Sequence, residues 1–283
     1  MPTVPTVSTG TAVTAGTLAV PGARLHYEVR GRGPLVLLVA APMDADSFAP
    51  LADLLAGDRT VLTTDPRGIN RSPVDDPGAD STPEQRADDL SRLLAHLDAG
   101  PADVLGSSGG AVSVLALAQA HPDQVRTVVA HEPPLEELLD DRGRLRERTE
   151  EMIATYLAGD RRTAWRLFLA TADIALPEEV FEVMFARAPE GRAAADEHFQ
   201  FAHMLRATTR WVPDVAKLRA LPGAARVVVG IGEESAGQLC DRASRALAAA
   251  LDVAPAIFPG DHVGFVEDPP AFADRLRDVL ANR

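Results

Sequence analysis

Gly106-Ser107-Ser108-Gly109-Gly110 follows the short apolar run 102–105 and opens an Ala/Val/Leu-rich stretch, so a Gly-x-Ser-x-Gly stands where a strand signal turns into a helix signal. A serine on so sharp a turn is held in a strained backbone conformation with its hydroxyl exposed. Glycines two positions before and after it keep Cβ atoms out of the bend. Ser108 is the expected nucleophile, because Ser108 and not Ser107 has glycine at both of those positions. The N–H of Gly109 would then point at the place where an oxyanion forms. Serine is a poor nucleophile until a base takes its proton. Of seven histidines, His262 is the best placed, in a Phe258–Gly264 loop between the last expected strand and the last expected helix. In open parallel sheets functional groups gather at the carboxyl ends of strands, where the serine turn also lies.

The elements that must position these residues are legible as an alternation. Strand signals at 25–29, 35–40, 61–64, 102–105 and 125–130 are separated by helix signals at 48–55, 82–97 and 109–120. The 82–97 helix opens on Thr82-Pro83-Glu84-Gln85, which supplies a capping threonine, a proline at the first turn and a glutamine at the third position. From 134 to 223 the strand signal vanishes and helical periodicity takes over, punctuated by Pro177, Pro189 and Pro213. Strand 226–229, helix 238–251, strand 256–258 and helix 270–280 then close the chain. The pattern predicts an α/β fold, a mostly parallel sheet with helices on both faces. Its core would comprise residues 17–133 and 224–283, with a helical cap inserted at 134–223. Residues 1–16 lack the basic and apolar regions of a signal peptide and are expected to be a flexible leader.

Composition narrows the partners. The chain has 283 residues, 46% hydrophobic and 24% charged, with a formal charge of −13, which disfavours nucleic acid and anionic membrane surfaces. No segment approaches a membrane span. Cys240 is the single cysteine, so no internal disulfide can form, which fits a cytoplasmic protein; it is expected to be a small packed hydrophobe in a helix. Asp44 and Asp46 read as a solvated acidic loop rather than metal ligands. Gly230-x-Gly232-x-x-Ser235 lacks the third glycine of a dinucleotide-binding turn. Neither a cofactor nor a metal is expected, and the sequence does not fix the oligomeric state.

With Ser108 and His262 in these positions, the chain resembles the α/β-hydrolase superfamily over nearly its whole length. Asp65-Pro66-Arg67-Gly68 through Ser72 resembles that family's D-x-R-G-x-x-x-S loop, and 134–223 falls at its usual cap site. The serine turn followed by His131-Glu132-Pro133-Pro134 is similar to zearalenone-lactonase-type hydrolases. The resemblance implies Glu132 as the triad acid, after the strand that follows the nucleophile helix, because Ser235 occupies the position where most members carry Asp. Glu234 is its competitor, with Glu233 beside it; Asp261 adjoins His262 too closely to orient it. The family's usual His-Gly at the oxyanion loop is replaced by Val39-Ala40, followed by Ala41-Pro42. Aligning Phe48 with the family's aromatic residue makes the Ala41 N–H the second oxyanion donor beside Gly109, since proline has no N–H.

The expected activity is a cofactor-independent serine hydrolase acting on an ester or lactone of a mainly apolar small molecule. The aromatic and methionine side chains between Trp165 and Trp211 would mostly pack the cap, and the remainder would line the substrate pocket. Thioesterase, amidase and carbon–carbon bond hydrolase activities on the same core are the nearer alternatives. A ligand-binding protein with little turnover is the more distant one.

Overall fold

The structure is a computed structural model that describes residues 12–281. Eight strands form one sheet: β1 (Val13–Val20), β2 (Ala23–Arg30), β3 (Leu35–Ala41), β4 (Thr60–Thr64), β5 (Ala102–Ser108), β6 (Val125–His131), β7 (Arg226–Gly232) and β8 (Ala256–Phe258). Their spatial order is β1-β2-β4-β3-β5-β6-β7-β8. The β1–β2 and β2–β4 pairs are antiparallel and every other pair is parallel. All seven residues of β3 are buried, as a strand covered on both faces requires.

Alternation sends the two halves of each central strand into different cores. Leu37, Val39, Val104 and Val128 pack with α2 (Pro83–Leu97), α3 (Gly109–Ala120) and α10 (Leu239–Leu251). Val36, Leu38, Leu105 and Val129 face α1 (Ala49–Leu55), α11 (Gly264–Glu267) and α12 (Pro269–Ala281). The α2 capping box forms as its sequence predicts: Thr82 Oγ1 accepts from the Gln85 N–H at 3.2 Å, and Gln85 Oε1 accepts from the Thr82 N–H at 3.0 Å.

Between β6 and β7 lie a 3-10 turn (Glu136–Leu138), α4 (Arg142–Leu157), α5 (Arg161–Thr171), α6 (Glu178–Phe185), α7 (Gly191–Phe199), a π-helical turn (Gln200–Met204), α8 (Leu205–Thr209) and α9 (Val215–Arg219). Several contacts tie this helical segment to the sheet layers. The Phe199 ring rests on Gly68, and Asp196 Oδ1 accepts from the Asn70 N–H at 2.9 Å. Trp211 Nε1 donates to Glu84 at 2.9 Å. The buried Arg86 guanidinium joins Ser113 of α3 at 2.8 Å to Thr208 of α8 at 2.9 Å.

The leader expected over 1–16 lies outside the described residues as far as residue 11, but Val13 to Gly16 are strand, paired with β2 from Val13↔Arg30 to Gly16↔Tyr27. An edge strand needs only one neighbour. Its outer residues are exposed, so Thr, Ala and Gly suffice and the alternation signal is faint. Among the described residues, no helix is long and apolar enough to cross a membrane.

Candidate active site

β5 ends on Ser108 and α3 begins on Gly109, so the chain reverses within one residue. Ser108 has φ 56° and ψ −125°, a conformation that costs a non-glycine residue of order 1–3 kcal/mol and is held only where its surroundings impose it. The flanking glycines are explained by close approach: a Cβ on Gly106 would strike the Gly110 carbonyl, and one on Gly110 would strike the Val39 carbonyl. Ser107 faces the other way. It is buried, and its hydroxyl pairs with His131 Nδ1 at 3.2 Å. His131 itself is enclosed between the Phe258 and Phe272 rings, and burial pushes its pKa down to about 4, so it is neutral.

Glu132 directly follows β6, has φ 51° and is fully buried. One carboxylate oxygen lies 2.7 Å from His262 Nδ1, and the other accepts the Gly232 N–H at 2.8 Å. The Ser235 hydroxyl sits beside the same carboxylate. Burial alone would raise the Glu132 pKa. The hydrogen bond to His262 and the charge of its ring outweigh burial and hold the carboxyl below its ordinary value. Burial alone would lower the His262 pKa, but the neighbouring Cys240 sulfur and the Glu132 carboxylate hold it well above 6.5. With Nδ1 engaged by the carboxylate, Nε2 is the nitrogen left for the cavity.

The Gly230–Ser235 segment thus seats a carboxylate: Gly230 accepts from the Glu132 N–H at 3.0 Å, and Gly232 donates to its side chain. Glu233 and Glu234 are exposed, and Asp261 turns back to accept from the Val263 N–H at 2.8 Å. Of the four acids weighed, the structure brings Glu132 to His262.

Ala41, the last residue of β3, is paired in register with Ser108. A Cβ on Gly109 would lie 2.7 Å from the Ala41 carbonyl, so the two expected oxyanion donors belong to backbone segments in close contact. Asp44 and Asp46 are not simply solvated, since Asp44 caps the turn at Ser47 and accepts from Asn70 Nδ2 at 2.7 Å, while Asp46 pairs with Arg71 at 2.9 Å.

Ser108, Gly109, Ala41 and His262 open into one cavity beneath the helical segment. Its walls are mainly apolar, with Met152, Phe168, Ile174, Met204, Leu205 and Leu239. Most of the aromatic side chains of 134–223 do pack elsewhere: Phe181, Phe199 and Phe201 are buried, and Trp211 joins the main core. Two cavity residues escaped the sequence reading. Cys240 is half-buried in the first turn of α10 beside His262, not a core hydrophobe. Glu136 is a buried carboxyl four residues after Glu132. Its place in a loop leaving a central strand was the available signal.

Residues 33–171 match the family model for the α/β hydrolase fold. The chain is 32% identical over 266 residues to the uncharacterized hydrolase YraK of Bacillus subtilis, covering 94% of this chain and 95% of that protein. It is 32% identical over 150 residues to the zearalenone hydrolase of Bionectria ochroleuca, 51% of this chain and 56% of that one. Among solved structures, a putative epoxide hydrolase from Pseudomonas aeruginosa aligns with TM-score 0.68 and 24% identity over 99% of this chain and 98% of that one, a likeness of fold alone. The chain belongs to the α/β-hydrolase superfamily. It is a hydrolase built on that fold.

Proposed function

We propose that this protein is a serine hydrolase that cleaves an ester or lactone of a mainly apolar small molecule through an acyl-enzyme. The observation that carries the reading is the buried Glu132 carboxylate 2.7 Å from His262 Nδ1, at the cavity into which the strained Ser108 opens. His262 Nε2 takes the Ser108 proton as Oγ bonds to the substrate carbonyl carbon, and the N–H groups of Ala41 and Gly109 hold the oxyanion. The imidazolium, stabilised by Glu132, returns that proton to the leaving alkoxide as the carbon–oxygen bond breaks. Water then attacks the acyl-enzyme, giving a proton to His262, which passes it to Ser108 Oγ as the acid departs.

Serine at the turn supports acyl chemistry over epoxide opening or dehalogenation, which need a carboxylate nucleophile. The apolar walls and the partial similarity to zearalenone hydrolase favour an ester or lactone over a sugar or phosphate. A fluorophosphonate probe is expected to label the wild type and Ser107→Ala but not Ser108→Ala, which also loses turnover of p-nitrophenyl esters. Labelling that survives in Ser108→Ala and disappears in Ser107→Ala would overturn the assignment.

A further inference from the structure

A buried carboxyl interrupts the mainly apolar lining of the cavity. Glu136 is 1% exposed yet lines the cavity that Ser108 and His262 share. Its partner in α4 is Thr149, whose hydroxyl stands 3.3 and 3.5 Å from the two carboxyl oxygens, long for hydrogen bonds to a carboxylate. Thr209 of α8 is also buried in the lining beside Glu136, and its Oγ1 makes no hydrogen bond of good geometry among the described residues. Neighbouring Thr208 is fully engaged with Arg86 and the Met204 carbonyl. No arginine or lysine among the described residues pairs with Glu136; Arg210, whose charge acts on it, is bound to Glu150 at 2.6 Å.

A buried carboxyl so weakly served is costly, and an apolar residue would fit the same walls without that cost. We propose that Glu136, with Thr149 and Thr209, forms a specificity subsite for a hydroxyl group carried by the substrate away from its scissile carbonyl. The inference rests on the serine-hydrolase reading, in which Ser108 meets the scissile carbonyl of a substrate held in this cavity. Burial pushes the Glu136 pKa up to about 7, so both protonation states are present near neutrality. A hydroxyl suits both, because it donates to a carboxylate and accepts from a carboxylic acid. An ammonium group would suit the ionised form alone and must shed its hydration in an apolar cavity.

The test uses p-nitrophenyl esters of four-, six- and eight-carbon acids in three matched forms, ending in methyl, hydroxyl or ammonium. For at least one chain length the wild type is expected to favour hydroxyl over methyl in kcat/KM by about tenfold, mostly through KM, and to favour ammonium least. Glu136→Leu should reverse the hydroxyl–methyl order, Glu136→Gln should retain part of it, and Thr209→Val should weaken it. The same esters, titrated onto Ser108→Ala by thermal shift, report binding without turnover. A hydroxyl preference that persists in Glu136→Leu, its absence at every length in a wild type that turns the esters over, or a preference for ammonium would overturn the subsite and leave the serine-hydrolase reading standing. A hydroxyl preference in binding, with neither turnover nor fluorophosphonate labelling in the wild type, would overturn that reading and keep the subsite.

Discussion

Ser107 and Ser108 are neighbours, yet one hydroxyl lies under the sheet against His131 and the other opens into the cavity. Ser107→Ala should leave a buried imidazole nitrogen unpaired and cost about 1–3 kcal/mol in urea unfolding, with labelling at Ser108 intact. Glu132→Gln should lower kcat by up to about 10⁴-fold, as loss of the tautomer-fixing acid does in the best-studied triad. It also changes the pH profile in a defined direction. In the proposed mechanism His262 acts as a base only when neutral, and Glu132 and Cys240 favour its charged form, so wild-type kcat/KM should rise with pH through an inflection above 6.5. Removing the Glu132 charge should move that inflection down, which a pH–rate comparison of the two proteins measures. Ser108 and His262 were legible as candidates because strand-end position and motif spacing act through the backbone, and Glu132 because the family resemblance pointed to the end of the following strand. Cys240 was not, because nothing in the chain says which face of a helix's first turn will meet a residue two elements away.

At the level of elements, glycine marks where a helix or loop must come close. Gly68 has φ +81°, and a Cβ there would run into the Phe199 ring that anchors α7 on the Asp65–Ser72 loop. Gly68→Ala should therefore destabilise the fold by about 1–3 kcal/mol, through backbone strain and a displaced ring, and should broaden substrate range as α7 lifts. Thermal unfolding and the ester panel check the two halves of that expectation. Central strands and long helices were readable because they are buried on both faces or carry their own caps, as α2 does. The β1 edge strand was not, since exposure removes the selection for apolar residues that makes a strand visible. The π-helical turn at Gln200–Met204 also left no trace, because the phase shift it introduces cannot be read from the few helical residues that follow it.

For the whole molecule, two buried groups pull stability in opposite directions between pH 4.5 and 6.5. His131 titrates at about 4 when folded and at 6.5 when free, so the unfolded chain binds more protons in that window and stability rises with pH. Glu136 titrates at about 7 when folded and at 4.5 when free, so its contribution is full below 4.5 and is lost as pH rises through 7. Glu136→Gln removes the falling limb. Relative to wild type, urea unfolding of the variant should gain about 3 kcal/mol between pH 4.5 and 7. The chain's two tryptophans divide the helical segment between them. Trp211 belongs to the main core and is bonded to α2, whereas Trp165 stacks in a satellite cluster, edge-on to the cavity-lining Phe168 at 5.3 Å. The protein thus carries its own pair of optical reporters: a ligand that displaces Phe168 should alter the emission of Trp165 and leave that of Trp211 steady. The response should vanish in Trp165→Phe and survive in Trp211→Phe, giving an occupancy gauge that needs neither turnover nor an attached dye.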